Sequence, residues 1–239
     1  MTGSATHSAA LKVRAKALDM TAQLLQAEPE ELEIVDGVVR HRDRPEGPSI
    51  ALGDIARHLA PDSPSLGDRE PGLTAEGFRA DHMTYAYGVH IGIVRVDPET
   101  GCASVERFLI AYDIGRAINP MMAEGQLTGG FAQGLGGALC EEFLYNEQGD
   151  PLCSTLANYA LPKAGDVPSV EILLTEDAPS PLNPLGIKSV GEGGITGVGA
   201  ALAAAIDDAI GIPGAVTALP ATPSRINAIL RAARNGKGE

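Results

Sequence analysis

The chain has 239 residues, enough for one large domain or two small ones, and its 44% apolar content argues against a disordered segment. A formal net charge of −13 argues against a nucleic-acid partner, whose phosphates demand Lys and Arg. With 4% aromatic residues, no Trp and 29 glycines, the composition describes a core of small aliphatic side chains with closely spaced backbones.

Residues 9–27 predict an amphipathic helix. Leu11, Ala15, Leu18, Ala22 and Leu25 recur at helical spacing, with Lys12, Arg14 and Lys16 on the remaining surface. Glu31 to Arg40 reads as a tight hairpin, because Leu32 and Ile34 precede Asp36-Gly37, a favoured type I′ turn, and Val38 and Val39 follow it. Ser49 to Leu59 is expected to hold a short strand and a helical turn. Residues 60–80 carry Pro61, Pro64, Gly67, Pro71 and Gly72 without periodicity. An N-terminal lobe, 1–60, is therefore expected to be divided by a loop over 61–80 from a larger region, 81–239.

Val89, Ile91 and Ile93 alternate as a strand does, Asp97 to Gly101 turns the chain, and Val105, Leu109 and Ile110 return in a second strand ending near Tyr112. Met121 to Phe143 predicts a helix despite Gly125, Gly129, Gly130, Gly134, Gly136 and Gly137. At about 1 kcal/mol each relative to alanine, these glycines survive in a helix only where something packs tightly against it. Gly125, Gly129 and Gln133 recur every four residues and are expected to share that close-packed face, either as plain packing or against a cofactor or partner. Ser169 to Thr175 reads as a strand. Val198 to Ile210 is apolar nearly all round and reads as a buried helix stopped by Gly211 and Pro213. Ser224 to Arg234 predicts a short final helix.

Gly186-Ile187-Lys188-Ser189-Val190-Gly191-Glu192-Gly193-Gly194 sets one carboxylate among glycines just before that apolar helix. Glycine allows close backbone approach, and a carboxylate held there can act as a general base. The same pattern also suits a carboxylate that favours a helix N-terminal dipole. Lys188 can pair with a carboxylate or a cofactor group. Asp207 and Asp208 read as the solvated end of the apolar helix, and His82 and His90 as residues outside any metal site. Cys102, Cys140 and Cys153 form no C-x-x-C pair, which fits a reducing compartment and gives no zinc or iron–sulfur site. Without a leader-like N-terminus or an uninterrupted membrane-length apolar run, a cytoplasmic location without membrane insertion is expected.

Four landmarks stand in order: Asp113-Ile114-Gly115-Arg116-Ala117-Ile118-Asn119-Pro120; Glu124-Gly125-Gln126 with Gly129-Gly130 and Gln133-Gly134; Tyr159-Ala160-Leu161-Pro162; and Asn183-Pro184-Leu185-Gly186 with Lys188, Val190, Gly191 and Glu192. Through them Tyr112 to Ile210 resembles the C-terminal part of the molybdenum-binding subunit of the xanthine dehydrogenase and aldehyde oxidase family, the molybdenum hydroxylases. Tyr85 to Gly101 resembles the strand pair that precedes these landmarks. The first 60 residues match through Gly3-Ser4, a helix and a hairpin.

The resemblance implies an α+β fold and a molybdenum–pyranopterin cofactor (molybdopterin, as such or as its cytosine dinucleotide), whose dithiolene holds the metal so that no protein ligand is needed. It implies that Glu192 is the general base beside the metal. Gly191, Gly193 and Gln126 would then be cofactor-binding residues, and Gly3 and Ser4, close to Met1, would lie near the loop that grips the pterin phosphate. Ala5 stands where the family often carries Arg. The family's subunit has several hundred further residues upstream, so the resemblance implies a split subunit completed by a larger molybdenum-binding chain. [2Fe–2S] clusters and FAD would sit on separate iron–sulfur and FAD subunits. The implied reaction is oxidation of an aldehyde or an N-heteroaromatic of purine or pyridine type with water-derived oxygen. Carbon monoxide oxidation is the rival within the enzyme class, and a non-catalytic assembly or binding protein that keeps the fold is the rival outside it.

Overall fold

A computed structural model describes residues 2–77 and 82–235. Met1 and the end of the expected 61–80 loop, residues 78–80, lie outside the described residues. Two compact units form: Met1–Met83 with Leu182–Leu185, and Thr84–Pro181 with Gly186–Glu239.

In the first unit, helix α1 spans Thr2–Leu25. It starts seven residues before the expected point because a distant segment holds its first turn. Ser4 is buried, and its Oγ donates to Asn183 Oδ1 at 3.4 Å. Such a contact, 179 residues away in sequence, leaves no local signal. The helix ends with Gln26 at φ 53° and Ala27 N–H donating to Ala22 O at 2.9 Å, the six-to-one bond of a Schellman cap. Its stripe is buried only in the second half, through Ala17, Leu18, Met20 and Ala22, whereas Leu11 is exposed.

The expected hairpin forms as β1, Leu32–Val35, and β2, Val38–His41, with Asp36 and Gly37 both at positive φ as a type I′ turn requires. β3, Ser49–Ala51, adds antiparallel to β2, and α2 follows over Leu52–His58. Leu32, Val39, Ile55 and Leu59 close a core against α1.

The second unit is built on β4, Tyr87–Val96, β5, Ala103–Asp113, and β6, Val170–Thr175. β4 and β5 are antiparallel around Asp97, whose Oδ1 accepts from Glu99 N–H at 2.8 Å. β6 lies parallel to β5, so a crossover must link them. It contains α3, Pro120–Leu139, started by Asn119 Oδ1 accepting from Met122 N–H at 3.1 Å with Pro120 at the first helical position. The helix stops at Leu139, short of the expected Phe143, and Glu141 N–H turns back to Gly136 O at 2.7 Å. α4, Val198–Ile210, ends on Gly211 at φ 69°, and α5 spans Pro223–Asn235.

Phe108 and Ile110 of β5 pack on Leu127, Phe131, Leu135 and Ala138 of α3 and on Val198 and Leu202 of α4. The rings of Phe108 and Phe131 lie 4.5 Å apart. The expectation that α4 is buried all round needs correction. Only Val198, Leu202 and Ile206, spaced by four, are buried, while Ala200, Ala204 and Ala209 are exposed. Alanine carries too little apolar surface for its exposure to cost much, so an apolar sequence does not enforce a fully enclosed helix. Asp207 also does more than solvate the helix end: its carboxylate accepts from Gly214 and Val216 N–H at 2.8 and 2.9 Å and fixes the following loop.

Candidate functional site

The end of β5 anchors the glutamate loop. Asp113 is buried, and Oδ1 accepts from Gly115 N–H at 2.8 Å and from Lys188 Nζ at 3.1 Å. Oδ2 accepts from Ala178 N–H at 3.2 Å and from the Tyr87 hydroxyl at 3.3 Å. The Lys188 ammonium also stands 4.5 Å above the Tyr87 ring centre. Burial alone would push the Asp113 carboxyl up. The Gly115 N–H, the Lys188 hydrogen bond and charge, and the Tyr87 hydroxyl outweigh it and hold the group below the ordinary carboxylate value. Lys188 is thereby a partner of the first landmark. Its own N–H donates to Ile114 O at 2.8 Å, tying the fourth landmark to the first through backbone as well.

From this anchor the loop runs past α3. Gly193 and Gly194 are buried, and neither has positive φ. Glycine is required here for closeness, since a Cβ on Gly193 would lie 2.5 Å from Tyr112 Cζ and one on Gly194 would lie 2.2 Å from Leu127 O. Turn bonds set the local shape: Gly193 N–H donates to Val190 O at 3.1 Å, and Glu192 O accepts from Ile195 N–H at 3.1 Å. Tyr112 lies against this loop; burial and then the charge of Glu192 raise its phenol pKa.

Glu192 itself is exposed on a cleft of about 330 Å³ lined by Gly125, Gln126, Gly129, Gly130, Gln133, Gly191, Glu192 and Ile195. The structure thus brings together Glu192, Gln126 and Gly191 of the sequence-identified residues. Gly193 sits behind the cleft rather than on it. Gly3 and Ser4 lie in the first turn of α1, in the other unit, with Ser4 on Asn183. Tyr159 donates to Glu141 Oε2 at 2.9 Å, so that landmark serves the C-terminal end of α3, where Pro162 covers Gly136.

The face of α3 expected to be close-packed is the open one. A Cβ on Gly125 or Gly129 would meet nothing within 4 Å, whereas one on Gly130 would lie 2.8 Å from Gly194 Cα and one on Gly134 would lie 2.7 Å from Val198 Cβ. Two i, i+4 glycine pairs share this helix, and sequence spacing cannot rank them. The consequence is a floor of bare backbone flanked by the Gln126 and Gln133 amides and the Glu192 carboxylate. That donor and acceptor set, over glycines whose side chains would fill the space, fits a flat polar ring system such as a pterin. Among the described residues, no group of three His, Cys, Asp or Glu could hold a metal ion.

His90, which the sequence places only outside any metal site, contributes to this loop. Its Nε2 lies 3.0 Å from Gly193 O, 103 residues away. A polar residue between Val89 and Ile91 is a signal that something faces it, but not what.

Residues 1–168 match the molybdopterin cofactor-binding domain family. The chain belongs to that family. It is 40% identical over 227 residues to the 6-hydroxypseudooxynicotine dehydrogenase complex subunit gamma of Paenarthrobacter nicotinovorans, covering 95% of this chain and 28% of that one. Reconstituted CO dehydrogenase from Oligotropha carboxidovorans superposes with a TM-score of 0.79 at 31% identity, over 98% of this chain and 29% of the other. Quinoline 2-oxidoreductase from Pseudomonas putida 86 gives 0.72 at 32% identity, over 92% and 28%. The chain spans less than a third of the length of these relatives. The expected kinship with the molybdenum-binding subunits of the hydroxylase family holds, as does the α+β class. No helix among the described residues is long and apolar enough to cross a membrane.

Proposed function

We propose that this molybdopterin cofactor-binding domain chain supplies the glutamate side of a molybdenum hydroxylase site. The observation that carries the reading is the placement of Glu192 and Gln126 on one cleft whose floor is the open Gly125 and Gly129 backbone. Gln126, Gln133 and the Gly191 backbone would hold the cofactor's polar edge. When bound, the molybdenum–pterin supplies two-electron oxidation. Glu192 acts as general base: its carboxylate takes a proton as water-derived oxygen replaces hydrogen on the substrate carbon, with two electrons and two protons released in all.

An N-heteroaromatic substrate is supported by the likeness to quinoline 2-oxidoreductase and to the 6-hydroxypseudooxynicotine dehydrogenase subunit, and aldehydes are assayed beside it. The TM-score of 0.79 to CO dehydrogenase makes carbon monoxide the second substrate to assay. A larger molybdenum-binding chain, an iron–sulfur subunit and an FAD subunit complete the assembly, in keeping with a relative that is itself one subunit of a complex.

Glu192→Gln in the native complex tests the reading. Gln keeps the size of Glu but takes no proton, so substrate reduction of the metal centre in rapid mixing should slow by about 10²–10⁴ with molybdenum content unchanged. A fully loaded Gln variant within a few-fold of the parent removes Glu192 from the chemistry and favours the assembly-protein reading.

A further inference from the structure

We propose that His90 is a positioning residue for the catalytic loop: its imidazole clamps the Gly193 carbonyl, in the peptide just after Glu192, and so fixes the loop that carries Glu192 into the cleft. The proposal rests on Glu192 being the base. Nε2 lies 3.0 Å from Gly193 O. A carbonyl oxygen only accepts, so the proton sits on Nε2 and the ring is the Nε2–H tautomer. Nδ1 then carries a lone pair; it is buried and has no hydrogen-bond partner. A second proton there would be a buried N–H without an acceptor, and burial lowers the pKa of the ring accordingly. The imidazole is held neutral, in one tautomer, aimed at one oxygen.

Packing fixes the ring as firmly as its hydrogen bond does. Its edge meets Phe108 at 5.8 Å and 76°. On the other side it fills the space a side chain would need at Gly197, where a Cβ would lie 2.7 Å from two ring carbons. His90 is therefore wedged between the sheet and the loop's passage into α4. The turn bonds of the loop are short-range, between Val190 and Gly193 and between Glu192 and Ile195 or Thr196. They set its curl but leave its height above the sheet open. Beyond the Lys188 anchor, between Val190 and Thr196 the His90 bond is a long-range one that sets the height, with Tyr112 against the same glycine and Gly194 against Leu127 and Gly130 of α3.

Two variants in the native complex test this. His90→Phe keeps an aromatic edge on Phe108 and removes the donor. His90→Gln places an amide N–H near the position of Nε2. In the Phe variant, amide hydrogen exchange over residues 190–197 should rise about 5–10-fold, the scale of one lost hydrogen bond. The rapid-mixing reduction rate should fall by a similar factor at unchanged molybdenum content and KM, and Gln should restore both. A Phe variant with parental exchange overturns the proposal. So does faster exchange with a parental rate, which would make His90 structural only. If Glu192→Gln turns over normally, the base reading fails first and takes this proposal with it, a failure distinguished by that variant alone.

Discussion

The Asp113–Lys188 pair is buried on both sides, at 3% and 8% side-chain exposure, so its charges are not screened by water. Removing one partner of such a pair leaves a bare charge in a dry place. Lys188→Met should destabilise the second unit by about 3–5 kcal/mol in thermal or denaturant unfolding. The pH dependence has a definite sign. The Asp113 carboxyl lies below its ordinary value of 3.8 when folded, so its contribution is present above that value and is lost as pH falls through the folded one. Without Lys188 the hydrogen bond and charge that oppose burial are lost and the folded value rises, so acid unfolding should begin at higher pH. An unchanged acid transition would mean that backbone and Tyr87 alone hold the carboxylate. Both residues stood in landmarks of the sequence, yet their union did not, because 75 residues separate them and nothing local pairs them.

At the level of elements, sequence gave helix α3 its position and its glycines but not its faces. Gly125 with Gly129, and Gly130 with Gly134, are both i, i+4 pairs, and periodicity treats them alike. Only the neighbours decide: Gly194 and Val198 crowd the second pair, and open space meets the first. The two substitutions should therefore diverge. Gly130→Ala forces α3 away from the loop, at about 1–3 kcal/mol for overpacking, and should lower the melting temperature. Gly129→Ala meets no atom and gains up to about 1 kcal/mol in helix propensity, so stability should hold or rise. Its methyl group enters the cleft, so molybdenum and pterin content per chain should drop. Equal behaviour of the two variants would mean that the cleft is not a binding floor. Helix α4 teaches the same lesson from the other side: the positions of its apolar residues were plain, and the extent of their burial was set by what lies beside them.

Across the second unit, alternation in β4 located the strand and left open which side the helices take. Gly92 and His90 turn toward α4 and β5, where a Cβ on Gly92 would sit 3.4 Å from Leu202. Val89, Ile91 and Ile93 consequently point the other way, at 57%, 54% and 48% exposure. Leu173 of β6 joins them on the far edge, since Ala111 pairs with both Val89 and Leu173. A sheet apolar on both faces is the pattern of a sheet covered on both faces. A contiguous apolar patch of this kind marks an interaction surface. The chain alone should therefore bind a hydrophobic dye, self-associate at micromolar concentration in sedimentation, and lose both behaviours on assembly with a larger molybdenum-binding chain. Interfaces of that obligate kind bury more than roughly 2,000 Å². Ile91→Lys should abolish assembly while leaving the inner core of Phe108, Phe131 and Leu202 intact. The requirement for cover fails if the isolated chain sediments as a dye-silent monomer with one sharp unfolding transition, or if Ile91→Lys still assembles with parental affinity.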